Sequence, residues 1–143
     1  MRKLITVAAA TAFATALFVA PAHADPVVHY RAAGTNLCLD DNGTQVSVLP
    51  CNRSDRQRWL LPVGGDLSDR PRNMATGRCL TARPTGQVLT VACDASGFQR
   101  WRREPRENEF RFHNLGTNKC LVGTRGVTVQ PCTPQTQRWS AFY

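Results

Sequence analysis

The six cysteines of this chain are the residues whose type and spacing most directly suggest chemistry. They form three pairs whose members lie 12 to 14 residues apart: Cys38 and Cys51, Cys79 and Cys93, Cys120 and Cys132. Thiols in such numbers usually form disulfides or bind a metal ion such as zinc. No pair has the two-to-four-residue spacing of a zinc site, and no histidine recurs beside the cysteines. The pattern therefore favours disulfides and predicts no metal site.

A repeated tripeptide follows each cysteine pair. Gln-Arg-Trp accounts for every tryptophan of the chain and occurs at residues 57–59, 99–101 and 137–139. The first cysteines of the pairs recur every 41 residues, and each is followed by a leucine. One repeat of this length cannot bury its own apolar face, so the copies must pack together. Of the 15 pairings that six cysteines allow, the repeat selects one disulfide within each copy, worth roughly 2–3 kcal/mol each.

The glutamine and the tryptophan of each tripeptide lie on the same face of a predicted strand. A tryptophan buries about 150–250 Å² of surface, so three of them facing a shared centre would supply much of one core. The glutamine amide can satisfy backbone groups of the loop that crosses over it. We therefore predict a structural role for the repeat residues Gln57, Trp59, Gln99, Trp101, Gln137 and Trp139. The alternative is that the tryptophans are platforms for a ligand.

Short alternating runs follow the same order in each repeat. The predicted strands of the first repeat are residues 27–31, 37–39, 45–49 and 59–63. Those of the third repeat are residues 109–113, 119–122, 126–130 and 139–142. Gly, Asn and Asp between the runs are typical of turns, and no stretch after residue 24 has a helical period. The sequence predicts an all-β fold of three pseudo-threefold repeats of about four strands, at about residues 27–65, 69–107 and 109–143.

The first 24 residues have the organisation of a secretory signal peptide. Two basic residues precede an apolar run over residues 4–20, and Ala-His-Ala ends at Ala24 as a cleavage site. The alternative is a transmembrane anchor, but the run is rich in alanine and ends before Pro21. We expect a secreted mature domain over residues 25–143, with no transmembrane segment, in a compartment where disulfides persist.

The chain is basic, with 18 Lys and Arg against 10 Asp and Glu and a formal net charge of +8. Nearly all of the excess is arginine, since Lys119 is the only lysine after the predicted cleavage site. Such a surface could bind an acidic polysaccharide or cell-wall phosphate. It could equally be a solvated surface, because arginine and glutamate alternate over residues 100–109. A nucleic acid is not expected as a partner, because no aromatic–basic pattern repeats and export is predicted.

Catalytic signatures are missing from the sequence. His29 and His113 are the histidines after the predicted cleavage site, and each lies on the first strand of a repeat. There is no Gly-x-Ser-x-Gly motif and no phosphate-binding glycine loop. Spacing alone leaves a carboxylate pair for glycoside hydrolysis open, but the acidic residues occur in turns and mixed-charge loops. We therefore predict a protein that is not an enzyme and has no cofactor.

Three Gln-x-Trp units, each preceded by a Cys-Leu…Cys pair, resemble the ricin B-type lectin domain. The resemblance covers about residues 30–143 and implies a β-trefoil fold that binds sugars, typically galactose-like ones. In that family an aspartate two residues after the first cysteine accepts hydrogen bonds from sugar hydroxyls. An aromatic residue shortly before the second cysteine stacks on the sugar, and a polar residue, often asparagine, precedes the glutamine.

By this resemblance only the first repeat keeps the aspartate. Asp40 holds that position, whereas Leu49 replaces the aromatic residue and Arg56 precedes Gln57. The three positions are Thr81, Ala92 and Phe98 in the second repeat, and Val122, Gln130 and Thr136 in the third. The resemblance thus implies at most one carbohydrate site, formed by Asp40, Arg56 and Gln57, with Gln57 supporting the carboxylate.

Two alternatives concern this site. Asp40 could instead cap the Asp-Asp-Asn-Gly turn that it begins. Arg53 and Arg56 could bind carboxylates or phosphates and shift the preference toward an acidic glycan.

The leading function hypothesis is a secreted, non-enzymatic carbohydrate-binding module whose partner is a glycan or polysaccharide. The alternative is a protein–protein interaction module, as an inhibitor or the targeting subunit of an assembly, on a β-trefoil with eroded sugar sites. A small hydrolase is a third hypothesis.

Overall fold

Short antiparallel strands make up most of the computed structural model, which describes residues 17–19, 24–61 and 68–143. The described part contains thirteen strands: β1 Val27–Ala32, β2 Leu37–Asp41, β3 Val46–Pro50, β4 Trp59–Leu60, β5 Ser68–Asp69, β6 Arg72–Asn73, β7 Cys79–Ala82, β8 Val88–Val91, β9 Trp101–Arg106, β10 Glu109–Asn114, β11 Lys119–Gly123, β12 Val127–Gln130 and β13 Trp139–Phe142. Single 3₁₀ turns, Asp55–Gln57 and Gly97–Gln99, precede β4 and β9.

Antiparallel pairing closes six strand positions into a barrel. β1 pairs with β13 and β4, β4 pairs with β6, and β10 pairs with β9 and β13. The remaining position is shared by β6 and by β5, which pairs with β9. Arg70 and Pro71 separate these two short strands. Because proline has no N–H to donate, a ladder is interrupted there. The described part therefore has thirteen strands, where about four per repeat were predicted.

Three hairpins, β2–β3, β7–β8 and β11–β12, cap one end of the barrel. Each is closed by one of the predicted disulfides, Cys38–Cys51, Cys79–Cys93 and Cys120–Cys132, which are confirmed. Backbone bridges join the hairpins to one another, Ser47 to Gly126 and Gln87 to Thr128. The hairpins therefore meet around a central axis, and each presents one strand face to the solvent.

The three tryptophans lie at the centre of the core with no exposed surface. Each indole Nε1–H donates to the carbonyl of the leucine that follows the first cysteine of its repeat. These bonds are Trp59 to Leu39 at 3.1 Å, Trp101 to Leu80 at 2.9 Å and Trp139 to Leu121 at 3.1 Å. The same bond in three repeats gives the indoles a structural role and leaves no ring face open to a ligand.

Two predicted segments extend beyond the described residues. The predicted signal peptide, residues 1–24, lies largely outside them, and so does the end of the predicted strand at residues 59–63. Within the described ranges, no helix has the length and the apolarity that crossing a membrane requires.

Candidate functional site

The loop between β3 and β4 carries the first-repeat site, and Gln57 holds this loop against the β2–β3 hairpin. The Gln57 Oε1 atom accepts a hydrogen bond from the Asn52 N–H at 2.9 Å, and its Nε2 donates to the Pro50 carbonyl at 3.1 Å. The Asn52 side chain in turn accepts the Ser54 N–H at 2.9 Å. These bonds place the 3₁₀ turn, and with it Arg56, directly over β2.

Asp40 receives three hydrogen bonds in this arrangement. Gln57 Nε2 donates to Asp40 Oδ2 at 3.2 Å, while Arg56 donates to Asp40 Oδ1 through Nε at 3.1 Å and Nη2 at 2.7 Å. A buried carboxylate is stable only with such partners. The structure thus brings together all three residues of the predicted carbohydrate site, Asp40, Arg56 and Gln57.

Arg56, rather than Asp40, forms the outer surface of the site. The Asp40 side chain is only 1% exposed, whereas that of Arg56 is 45% exposed. In the antiparallel register Ser47 lies opposite Asp40, and Leu49 lies opposite Cys38. Residues directly opposite each other project to the same face of a sheet. The Asp40 face therefore also carries the Ser47 hydroxyl and the Leu49 side chain, which is 39% exposed.

The hairpin turn is capped by the residues after Asp40. Asp41 Oδ1 accepts the Gly43 N–H at 2.9 Å, and Asn42 Oδ1 accepts the N–H groups of Thr44 at 2.9 Å and Gln45 at 2.8 Å. The alternative that Asp40 caps this turn is therefore wrong. Successive strand side chains point to opposite faces, so Asp40 and Asp41 cannot share a role.

Asp41 ties the first repeat to the second. Its Oδ2 accepts the Thr76 hydroxyl at 2.7 Å and the Thr90 hydroxyl at 2.8 Å, and its side chain is buried. No repeated pattern in the sequence points to Asp41, because both threonines are distant in the chain. Its role is structural, because its buried carboxylate links β2 to two threonines of the second repeat.

The second repeat reproduces the geometry without the charge. Gln99 Nε2 donates to the Ala92 carbonyl at 2.9 Å and to Thr81 Oγ1 at 3.1 Å, and Gln99 Oε1 accepts the Asp94 N–H at 2.7 Å. Thr81 thus takes the place of Asp40. Phe98 takes the place of Arg56, so the ion pair that covers Asp40 in the first repeat has no counterpart over Thr81.

The third repeat departs further, because one residue fewer separates its second cysteine from Gln137. Gln137 bonds the backbone of Gly123, accepting the N–H at 2.6 Å and donating to the carbonyl at 3.0 Å. It is partly exposed, whereas Gln57 and Gln99 are fully buried. Gln137 therefore still bonds backbone groups, but at Gly123 on β11 and not in the loop before the tripeptide.

One residue that positions the site was missed from the sequence. Asn73, buried on β6, donates from Nδ2 to the Arg56 carbonyl at 2.8 Å and accepts the Ala75 N–H at 3.0 Å. Asn114 holds the Phe98 carbonyl in the same way at 2.8 Å. The two asparagines are 41 residues apart, which is the period of the repeat, so the period itself could have revealed them.

His113 has the partners of a structural residue. Its Nδ1 lies 2.8 Å from Glu104 Oε1, and its Nε2 lies 2.8 Å from Asn118 Oδ1. The same Glu104 pairs with Arg111 at 3.0 Å. Both ring nitrogens are thus in hydrogen-bond contact with side chains of the protein itself. In the described residues, no group of three His, Cys, Asp or Glu side chains is placed to hold a metal ion.

His29 is expected to make stability depend on pH. Its ring stacks on Phe142 at 5.1 Å, and burial, aided by the charges of Arg58 and Arg53, lowers its pKa below the ordinary 6.5. When the pH falls through about 6.5, the unfolded state binds a proton that the folded state resists. This loss of stability continues until the pH reaches the lowered pKa of the folded state. Urea unfolding at pH 7.5 and 5.5 should therefore show a smaller loss for His29→Gln than for the wild type. An equal loss of stability in the two proteins would contradict the role of His29 in this pH dependence.

No protein-family model matches the chain, and no curated protein sequence matches it. Solved structures do. A designed threefold-symmetric protein, ThreeFoil, superposes with a TM-score of 0.72 at 17% identity, covering 82% of this chain and 98% of that one. The fold is a β-trefoil. This confirms the predicted fold class and agrees with the topology of a six-position barrel capped by three hairpins.

Two further matches to this β-trefoil are sugar-bound proteins. SeviL bound to asialo-GM1 saccharide gives a TM-score of 0.71 at 11% identity, covering 82% of this chain and 97% of that one. A Polyporus squamosus lectin, bound to the human-type influenza-binding epitope Neu5Acα2-6Galβ1-4GlcNAc, gives a TM-score of 0.68 at 15% identity and covers 83% and 49%. Such low identities establish the fold alone, which is consistent with the resemblance to ricin B-type lectins.

Proposed function

We propose that the protein is a secreted, non-enzymatic carbohydrate-binding module with at most one sugar site, formed by Asp40, Arg56 and Gln57. One observation carries the proposal: the hydrogen bond from Gln57 to the Asp40 carboxylate. Of the three repeat glutamines, Gln57 alone holds a carboxylate, because Gln99 bonds Thr81 and Gln137 bonds the Gly123 backbone. The first repeat therefore keeps the group that the lectin resemblance assigns to sugar binding.

The fold and the disulfides support this proposal. The same β-trefoil occurs in a protein bound to asialo-GM1 saccharide and in a lectin bound to a sialylated epitope. Three disulfides persist in oxidising compartments, and residues 1–24 have the pattern of a cleaved secretory signal. A non-enzymatic role is supported by the lectin and the saccharide-bound protein that share this fold.

A glycan and polysaccharide array tests the proposal, with the disulfide-bonded wild type, Asp40→Asn and Thr81→Val side by side. We expect the wild type to bind a glycan and Asp40→Asn to bind it at least about tenfold more weakly. The reason is that Arg56 and Gln57 lose their anionic partner, and such bonds are worth about 1.5–3 kcal/mol.

Thr81→Val is the matched control, because it removes the equivalent side-chain partner of Gln99 in the second repeat. It should bind like the wild type, and thermal unfolding should show that both variants are folded. Binding by Asp40→Asn at wild-type strength would contradict the assignment of the site. A wild type that binds no glycan would contradict the function.

The protein–protein interaction module is the second candidate. It is favoured by the three positions where a stacking aromatic is expected, since these hold Leu49, Ala92 and Gln130. A shallow pocket of about 390 Å³ beside the β9–β10 hairpin offers a further surface, lined by residues that include Pro105, Phe110 and Ala141. This candidate predicts that the wild type binds no glycan on the array. It also predicts a protein partner that Asp40→Asn binds as well as the wild type does.

A further inference from the structure

We propose that the first-repeat site recognises an acidic saccharide, one that carries a carboxylate or a sulfate, through the guanidinium group of Arg56. Asp40 is then the buried counter-ion that positions Arg56, and it does not touch the ligand. This inference rests on the proposed function, because it names the ligand class for the same site. It differs from the expectation for the ricin B-type resemblance, in which the aspartate itself bonds the sugar hydroxyls.

Arg56 is much more accessible to a ligand than Asp40. Asp40 is 1% exposed and Arg56 is 45% exposed, so an approaching ligand meets the guanidinium group first. The Asp40 oxygens already accept two N–H groups from Arg56 and one from Gln57. A neutral sugar could reach this carboxylate only if Arg56 moved away and broke the ion pair. An anionic group needs no such displacement.

Arg56 also has N–H groups that are not used in the ion pair with Asp40. A guanidinium group carries five N–H bonds, and Asp40 takes one from Nε and one from Nη2. The remaining N–H of Nη2 and both of Nη1 have no partner within the described part of the chain. Such donors match the oxygens of a carboxylate or sulfate. Since the ion pair already fixes the side chain, little conformational freedom remains to be lost on binding.

The surface around the guanidinium group offers a hydroxyl and an aliphatic side chain. Ser47 and Leu49 share the outer face of the hairpin with Asp40. Within the described residues the Ser47 hydroxyl makes no hydrogen bond, so it can bond a sugar hydroxyl. Leu49 can cover an apolar sugar face, but an aliphatic side chain lacks the flat ring that makes stacking strong. Charge must therefore supply more of the affinity here than at a site with an aromatic platform.

The loop between β3 and β4 carries an excess of positive charge. Two of its charges cancel in the pair between Arg58 and Asp55 at 2.9 Å. Arg56 is balanced by Asp40, which leaves the exposed Arg53 as an excess positive charge beside the site. Positive potential at a surface raises the local concentration of anions. The equivalents of Arg56 in the other repeats, Phe98 and Thr136, are uncharged, so this preference belongs to the first repeat.

Matched polysaccharides test the inference by isothermal titration calorimetry. Each acidic polymer is paired with its own neutral form: polyuronates with the carboxyl-reduced polymer, and sulfated polymers with the desulfated polymer. The wild type is expected to bind the acidic member of at least one pair tenfold or more tightly. Loss on carboxyl reduction identifies a carboxylate as the anion, and loss on desulfation identifies a sulfate.

Variants separate the roles of the two residues. Arg56→Gln should lose the preference for the acidic member, whereas Asp40→Asn should weaken binding but keep a preference, because Arg56 remains. Arg56→Lys, which keeps the charge without the planar fork, should retain part of it. Arg106→Gln removes the same charge from an exposed position on β9 and should change binding less than twofold. Circular dichroism must show that each variant is folded.

The two proposals fail in different ways. If the wild type binds both members of every pair equally, or if Arg56→Gln keeps the acidic preference, the inference is overturned while the carbohydrate-binding function stands. If no member of any pair binds and the glycan array is also silent, the proposed function itself is overturned.

Discussion

Reduction of the three disulfides is expected to unfold the protein at 25 °C. The pairs are separated by 13, 14 and 12 residues in the sequence. A loop of this size contributes about 3 kcal/mol in the chain-entropy model, so the three together contribute about 9 kcal/mol. The whole free energy of unfolding of a domain is about 5–15 kcal/mol. Intrinsic tryptophan fluorescence should report the loss, because Trp59, Trp101 and Trp139 are fully buried.

The control for this experiment is protein treated with the alkylating reagent alone. All six cysteines are paired in the structure, so the reagent should leave the oxidised protein folded. A reduced and alkylated protein that still unfolds cooperatively, within about 2 kcal/mol of the oxidised form, would contradict the expectation. The hairpins would then be stable without their covalent closure.

Trp101→Ala is expected to lower the free energy of unfolding by about 3–5 kcal/mol. The indole is fully buried, lies 5.1 Å from the Phe112 ring and donates to the Leu80 carbonyl at 2.9 Å. The substitution leaves a cavity in a close-packed core and also leaves a buried carbonyl without its partner. Denaturant unfolding monitored by circular dichroism measures the change.

Trp101→Phe keeps an aromatic ring but removes the N–H donor and part of the indole volume. Its cost should be smaller than that of Trp101→Ala and at least that of an unsatisfied carbonyl, about 1–3 kcal/mol. A cost below about 1 kcal/mol for Trp101→Ala would contradict a core role for the repeated tryptophans.

The repeat made the fold predictable from the sequence. The predicted strand at 139–142 coincides with β13, and the others that can be compared mostly agree to within one or two residues. Period-2 alternation and turn residues specify such strands locally. Two details could not be read from this pattern. β4 ends at Leu60, and the end of the strand predicted at 59–63 lies outside the described residues. In the second repeat, for which no strands were predicted, Arg70 and Pro71 separate β5 from β6.

The members of the proposed site could be predicted, but their arrangement could not. The resemblance to ricin B-type lectins points to the positions of Asp40, Arg56 and Gln57. Arg56 covers Asp40 although the two residues are 16 positions apart in the sequence. No periodic pattern predicts such a side-chain contact. Gln137 shows the same limit, because the loss of one loop residue moves its amide to the Gly123 backbone.

One measurement tests the central claim, that the first repeat holds the ligand site. A glycan from the array is titrated into ¹⁵N-labelled protein, and amide shifts are followed by NMR. The account predicts shifts concentrated at Asp40, Ser47, Leu49 and Arg56, with little change at Thr81 and its neighbours in the second repeat. Shifts centred on the second repeat, the third repeat or the pocket beside the β9–β10 hairpin would contradict it.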